Sequence, residues 1–474
     1  MNKQDIASGL RKLGLTAGDK VLLHSSLSSL GEVEGGPDAV VDAFLEVLGR
    51  EGTLLVPVFG ALGVLTETVK KRPGAVISSA PVGTLAALGR DAETLLRDHW
   101  QADTAHGRGT PFTRLADMGG YVCLLGVDQD RNTSLHSVEA LLQLPYLSDE
   151  TCTFTSPDGK NVTKTYKYYP GPHRNFIGLD RFFREAGIMK TRRIGSAQVR
   201  LMKSADMLRT ALELGKKDPA FALCGNPACA ACVAQRAAIF ADRMAHESFR
   251  LTASSQLAGR YVPEMIENLR AAGIGHVELD CIQGRPCALM EPAKLAAAVK
   301  ELTSEGIGIS ALSCHASPDD PEKLAELVKA AGIGRVILPV GAREAAELLL
   351  ESGVAADLRN INHTARAAAL AVNDFNDRVH ACLNPANLAA AGEKPFRSFL
   401  QKRFARITGQ LDLCDGLWDG SARPLAQGNG EVKELVSILR CRNFGGWFCL
   451  GGGAVPSGGL ARAAADFADL IDNM

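Results

Sequence analysis

From about residue 250 onward the chain repeats one unit: a short apolar run, then an Ala/Leu/Glu/Lys-rich stretch of helical period. The apolar runs are Leu251–Ser255, Gly275–Cys281, Ile307–Ser313, Arg335–Val340, Leu358–His363, Arg378–Leu383, Gln410–Cys414 and Gly446–Leu450. Stretches such as Glu291–Ser304, Asp320–Ala331 and Ala342–Ser352 separate most of them. Short apolar runs bounded by turn residues read as strands buried on both faces. Neighbouring parallel strands need a crossover between them, so regular alternation with helices implies a parallel sheet. Eight such units predict a (β/α)8 barrel.

The 474 residues imply two or three domains. The barrel pattern places one at 248–474 and leaves 1–247 for another. Residues 2–14 read as a helix stopped by Gly14. Lys20–Ser25 reads as a strand, followed by a hydroxyl- and glycine-rich loop, a helix over Asp38–Leu48 and a second buried strand in Gly52–Phe59. This order is α/β, so the expected fold is an N-terminal α/β/α domain followed by a C-terminal (β/α)8 barrel.

One stretch of the first half carries usable chemistry. Tyr121–Val127 reads as a buried strand, Asp128–Asn132 as polar turn residues, and Ser134–Leu144 as helical. His136 and Glu139 then share a helix face. A carboxylate so placed fixes an imidazole tautomer and raises its basicity. The same spacing also serves a capping box at a helix start. The loop Ser25-Ser26-Leu27-Ser28-Ser29-Leu30-Gly31 suits close approach by a ligand's amides or phosphates, or simply satisfies its own backbone. Tyr166–Phe176 (YKYYPGPHRNF) puts His173 and Arg174 beside three tyrosines, as a sugar or anion site or as an anchored surface loop. Asp158-Gly159 between threonine-rich runs reads as a hairpin turn.

The net charge of −1 and the scarcity of aromatics (17 Phe, 6 Tyr, 3 Trp) exclude a nucleic-acid binder built on basic patches and stacking platforms. No run of about 18 apolar residues suggests a membrane span, and the charged amphipathic start is not that of a secretory signal. Twelve cysteines scattered along the chain fit a reducing cytoplasm. Cys224, Cys229 and Cys232 have the C-x4-C-x2-C spacing of a metal knuckle, but His246, fourteen residues on across a probable helix, is a poor fourth ligand. Buried or helix-capping thiols are the alternative.

Five ordered stretches give the first half a resemblance. HSSLSSLGEVEGG, AFLEVLGREGTLLVPVF, RPGAVISSAPVGTLAALG, TAHGRGTPFTRL and LLGVDQDRNTSLHSVE, with IGSAQVRL beyond them, resemble the aminoglycoside 3-N-acetyltransferase family over about residues 1–245. The resemblance implies an acyltransferase, linked to antibiotic resistance, that moves acetyl from acetyl-CoA as co-substrate to an amine of an aminoglycoside or other amino sugar. It implies His136 as general base with Glu139 beside it. It implies that Ser25, Ser26, Ser28, Ser29, Leu30 and Gly31 hold the pantetheine arm, and that Thr84 and Thr110 lie near the thioester. His173 and Arg174 are candidates for the acceptor. No metal is expected in this chemistry, and self-assembly of the chain is left open. The sequence departs from the family at Ala80-Pro81, where His-Pro is usual, and in a short connection after Phe59.

The second half resembles xylose-isomerase-like sugar isomerase/epimerase barrels through HVELDC, HACLNPANL, LDLCDG and PLAQGNG. Those barrels hold a divalent metal on carboxylates and a histidine. Here Asn360 and Asn362 stand where a Glu is expected, Asn384 where an Asp is, and Asp412 where a His is, and no Glu follows Leu450-Gly451-Gly452-Gly453. The metal site therefore reads as degenerate. An altered barrel site of His363, Asp415 and Glu278, or a non-catalytic binding or assembly role, are the competing readings.

Overall fold

The computed structural model describes residues 1–60, 63–169, 174–401, 404–451 and 458–474, with the backbone alone at 401 and 405. The chain forms two compact units, Met1–Gln235 and Arg236–Met474.

The first unit opens with a helix at Lys3–Leu13. Asn2 accepts from the Gln4 and Asp5 amides, Asp5 closes the capping box, and Gly14 ends the helix at φ 113°. The strands follow in order as β1 (Lys20–Ser25), β2 (Thr53–Pro57), β3 (Val76–Ile77), β4 (Leu85–Gly89), β5 (Tyr121–Leu125), β6 (Ser148–Thr155), β7 (Asn161–Tyr168), β8 (Met189–Ile194) and β9 (Ala197–Lys203). Seven of them make one sheet in the order β3-β4-β2-β1-β5-β9-β8. Its centre, β2-β1-β5, is parallel; β4, β9 and β8 run antiparallel to their inner neighbours. Val21, Leu22 and Leu23 of β1 and every residue of β2 are buried, as expected of strands covered on both faces. The central strands end together, so the loops after β1 and β5 share one edge of the sheet, the usual place for a ligand site in such folds.

β6 and β7 form a separate antiparallel ribbon turning at Asp158-Gly159. Thr151 pairs with Thr165 and Thr153 with Thr163 through hydroxyl hydrogen bonds of 2.8 and 2.9 Å. Beyond the ribbon's last strand the chain continues into Tyr169.

The second unit is a closed barrel of eight parallel strands: Arg250–Ser254, His276–Leu279, Gly308–Ser313, Arg335–Pro339, Ala355–Arg359, His380–Leu383, Thr408–Leu413 and Trp447–Leu450. Every apolar run read from the sequence has its strand. The fifth is displaced: the expectation was Leu358–His363, and the strand is Ala355–Arg359. Its charged members are buried with partners, Asp357 on Arg335 at 2.6 Å and Arg359 on Glu278 at 2.8 Å, so charge did not mark a strand end there. Ala311, Ile337 and Cys382 pack together as one small cluster of buried residues. No described helix is long and apolar enough to cross a membrane.

Candidate active site

His136 opens a short helix, His136–Leu141, that follows a 3-10 turn at Thr133–Leu135. The segment makes no side-chain cap bond, so His136 and Glu139 do not form a capping box. They bind each other: His136 Nδ1 lies 2.6 Å from Glu139 Oε2. The Tyr146 hydroxyl donates to Glu139 Oε1 at 2.8 Å, and Arg174 Nε donates to the same oxygen at 2.5 Å.

Glu139 is fully buried. Burial pushes its carboxyl up, but the hydrogen bond and charge of His136 and those of Arg174 outweigh it and hold Glu139 below the usual carboxylate range. The Tyr146 phenol is raised by burial and by Glu139, so it stays a donor. An ionised Glu139 bonded to Nδ1 fixes the proton on that nitrogen and leaves Nε2 as the basic atom. The ring is held by its neighbours: Tyr169 stacks on it at 3.7 Å with planes 2° apart, and Phe176 meets it edge-on at 5.0 Å. His106 lies 5.4 Å away, and burial, followed by the proximity of His136, holds it well below the ordinary histidine value.

His136 and Tyr169 stand in the wall of a cleft of about 1030 Å³. Ser25, Ser26, Ser28 and Gly31 line the same cleft, as do His24, Gly126, Asp130 and Arg131. The loop after β1 reaches it through a 3-10 turn at Leu27–Leu30. Ser26 and Ser28 share a hydroxyl contact of 3.1 Å, while Ser29 donates to the Ser26 carbonyl at 2.6 Å. Ser29 thus braces the loop, and Leu30 is buried in the core. Gly126, at φ 67°, closes the end of β5 beneath this loop; a Cβ there would collide with the Ser29 hydroxyl.

Thr84 and Thr110 are not among the cleft-lining residues. Thr84 donates to the Ala80 carbonyl and Thr110, fully buried, to the Gly107 carbonyl. Arg174 is buried and turned toward Glu139, and His173 lies outside the described residues. Sequence reasoning missed Tyr146, and it gave His24 and His106 no role although both lie in stretches that carry the resemblance. Tyr169 sat in a stretch already marked by its tyrosines, but only the fold lays it on His136. His24 was visible only as one letter in an apolar strand; burial lowers it to about 3.

At the C-terminal end of the barrel strands a different arrangement fills the centre. Arg359, buried, pairs with Glu278 at 2.8 Å and with Asp412 at 2.9 Å, and donates to Ser313 at 2.6 Å. Burial opposes the Arg359 charge, but Asp412 and Glu278 outweigh it and raise Arg359 well above its ordinary value. Gln410 donates to both Glu278 and Asp412, and Asn384 to Asp412. Asp415 accepts from the Gly416, Gly428 and Gly430 amides and anchors a loop. His363 Nδ1 faces the Ile361 carbonyl at 2.5 Å. His363, Asp415 and Glu278 are therefore engaged separately and do not converge on one site. Gly452 and Gly453 lie outside the described residues.

A cleft with a hydroxyl-lined loop and a carboxylate-oriented imidazole in its wall is an arrangement that group-transfer chemistry can use. The comparisons narrow that class. The sequence profile of the family described as aminoglycoside 3-N-acetyltransferase matches residues 22–61 and 60–215. Aminoglycoside N(3)-acetyltransferase IV from Salmonella sp. is 32% identical over 233 residues, 46% of this chain and 88% of that protein. Aminoglycoside N(3)-acetyltransferase VII from Streptomyces paromomycinus is 31% identical over 255 residues, 43% of this chain and 87% of that one. A crystal structure of aminoglycoside acetyltransferase AAC(3)-IVa in complex with a gentamicin is 32% identical, with a TM-score of 0.47, over 50% of this chain and 97% of its own. The chain belongs to the aminoglycoside 3-N-acetyltransferase family through its first half and is an acyltransferase, with a (β/α)8 barrel added after it.

Proposed function

We propose that the first unit transfers the acetyl group of acetyl-CoA to an amine of an aminoglycoside or related amino sugar, with His136 as general base. The observation that carries this reading is the 2.6 Å His136–Glu139 contact in the cleft wall. An acceptor ammonium cannot attack a thioester until it loses a proton. In this reading that proton goes to solvent; as the free amine nitrogen bonds to the acetyl carbonyl carbon, His136 Nε2 takes a second proton from the nitrogen, and the carbon–sulfur bond breaks. The proton held on imidazolium then neutralises the departing thiolate, so amide and thiol form together. Glu139 stabilises the imidazolium throughout, and its own bonds to Tyr146 and Arg174 keep it from drifting.

The coenzyme A arm would run along Ser25, Ser26, Ser28 and Gly31, with Ser29 and Leu30 holding the loop's shape. Thr84 and Thr110, placed near the thioester by the resemblance, brace the Ala80 and Gly107 turns through the carbonyls they bind. Asp130 is the one carboxylate among the described residues lining the cleft, which favours an acceptor with few positive charges near the reacting amine over a heavily cationic one. The barrel is read as an appendage that recognises or presents the acceptor. The deciding experiment follows thiol release from acetyl-CoA with a panel of amino sugars and aminoglycosides. Turnover with any of them supports the reading; coenzyme A that fails to bind at millimolar concentration overturns it.

A further inference from the structure

One cluster of the first unit lies outside the residues that line the cleft. The Sγ atoms of Cys224, Cys229 and Cys232 all lie within 4.8 Å of one another. None of the three is in a disulfide. The turn that gathers them is built by Asn226, whose side chain accepts from the Ala228 amide at 3.0 Å and whose carbonyl accepts from Cys229 at 3.1 Å. Cys229 immediately precedes the helix Ala230–His246, and Cys232 sits in its first turn. The Cys224 amide points at Cys232 Sγ from 3.4 Å.

We propose that Cys224, Cys229 and Cys232 bind one zinc-type divalent cation as a structural clasp. Tetrahedral zinc with bonds of about 2.3 Å sets its sulfurs about 3.8 Å apart, so closing this triangle takes shifts of about 1 Å or less. Thiolate sulfur selects zinc over the hard cations that prefer oxygen. His246 is not among the groups that gather with the three sulfurs. No other His, Cys, Asp or Glu among the described residues joins the three. Cysteine binds such a cation as the thiolate, so metal uptake by thiols at neutral pH expels protons.

The clasp has a place in the architecture of the site. Two residues before Cys224, the Ala222 carbonyl accepts from the Asn175 amide at 2.8 Å. Asn175 follows Arg174, which holds Glu139. The metal would thus tether the segment that positions the carboxylate, as a positioning device without contact to reacting atoms.

The test does not depend on acetyl transfer. Full-length protein purified without chelator is analysed by inductively coupled plasma mass spectrometry, beside Cys229→Ser and, as control, Cys441→Ser, which alters an exposed thiol of the barrel unit. About one zinc per chain is expected in wild type and C441S, with at least a tenfold loss in C229S. Should C229S fail to fold, wild type is stripped under reducing conditions and titrated with cobalt(II). A thiolate-to-cobalt charge-transfer band, displaced by zinc and accompanied by proton release, supports the clasp. Wild type that is metal-free as purified and shows no such band overturns it. So does a disulfide between two of the three found by non-reducing peptide mapping of metal-free protein.

Discussion

Each unit of this chain buries a carboxylate against a guanidinium at the end of parallel strands, yet the two arrangements differ in what they can do. In the first, Glu139 is bonded to Arg174 and Tyr146 on one oxygen and to His136 on the other, and that imidazole stands in a cleft wall. In the barrel, Glu278 and Asp412 close on Arg359, a group that keeps its charge at any working pH. A guanidinium there fills the centre with a fixed positive charge joined to the chain. A buried charge network offers acid–base chemistry only where it ends on a group that titrates and meets a ligand.

The largest expected effect lies in the first network. His136→Ala should lower kcat/KM for acetyl transfer by about 10²- to 10⁴-fold, the range for removing a general base, with little change in Tm. Glu278→Gln should leave that rate unchanged; a matching loss would erase the contrast between the two networks. The next effect is in stability. Arg359→Met strands two buried carboxylates and should destabilise the barrel by about 3–5 kcal/mol in urea unfolding. Adding Glu278→Gln and Asp412→Asn should recover most of that loss. A triple variant as unstable as the single one would mean that Arg359 acts through packing and not charge.

Acid should separate the units further. Burial holds His24 at about 3 and His99 at about 4 in the folded state, and His106 is also lowered. With folded values below the unfolded value of about 6.5, the unfolded chain binds more protons between those limits. Stability of the first unit should therefore fall as pH drops from about 6.5 toward 4, by up to about 1.4 kcal/mol per pH unit for each histidine. In the barrel, hydrogen bonds donated to the Asp280 and Asp357 carboxylates raise His315 and His380, whose contribution is fully present below about 6.5 and is lost as pH rises through their folded values; burial lowers His276, which opposes part of it. Thermal unfolding at pH 7 and pH 5 should show the transition assigned to the first unit moving down more than the other. Equal shifts would refute the assignment. The smallest effect is expected at the loop: Ser28→Ala should raise KM for acetyl-CoA severalfold and leave kcat nearly unchanged, about the worth of one hydrogen bond.

The sequence made much of this legible where local chemistry and tertiary structure agree. Asn2 and Gly14 bracket the first helix as capping rules require, and the barrel strands stand out as short apolar runs alternating with helical stretches. Ala355–Arg359 was displaced because its Asp and Arg are buried by partners distant in sequence, information that a window of neighbours lacks. The His136–Glu139 pair was readable from a spacing of three. Its support was not, since Tyr146 follows the end of the helix and Arg174 lies 35 positions away. Arg174 drew notice for its charge and was read as facing a ligand; its guanidinium faces inward to Glu139. The threonines illustrate the same limit: a hydroxyl's residue type is visible in a sequence, but the carbonyl it chooses is not.

Gly126 reaches beyond this one molecule. Its lone hydrogen lets the strand end lie flush beneath the serine loop, and the two segments meet only because nothing projects between them. Any side chain there would lift the loop and change the depth of the cleft floor. For a distant sequence that keeps the same apolar strand, this single letter is a diagnostic character: glycine is compatible with the same floor, and any other residue announces a remodelled one before a structure is determined.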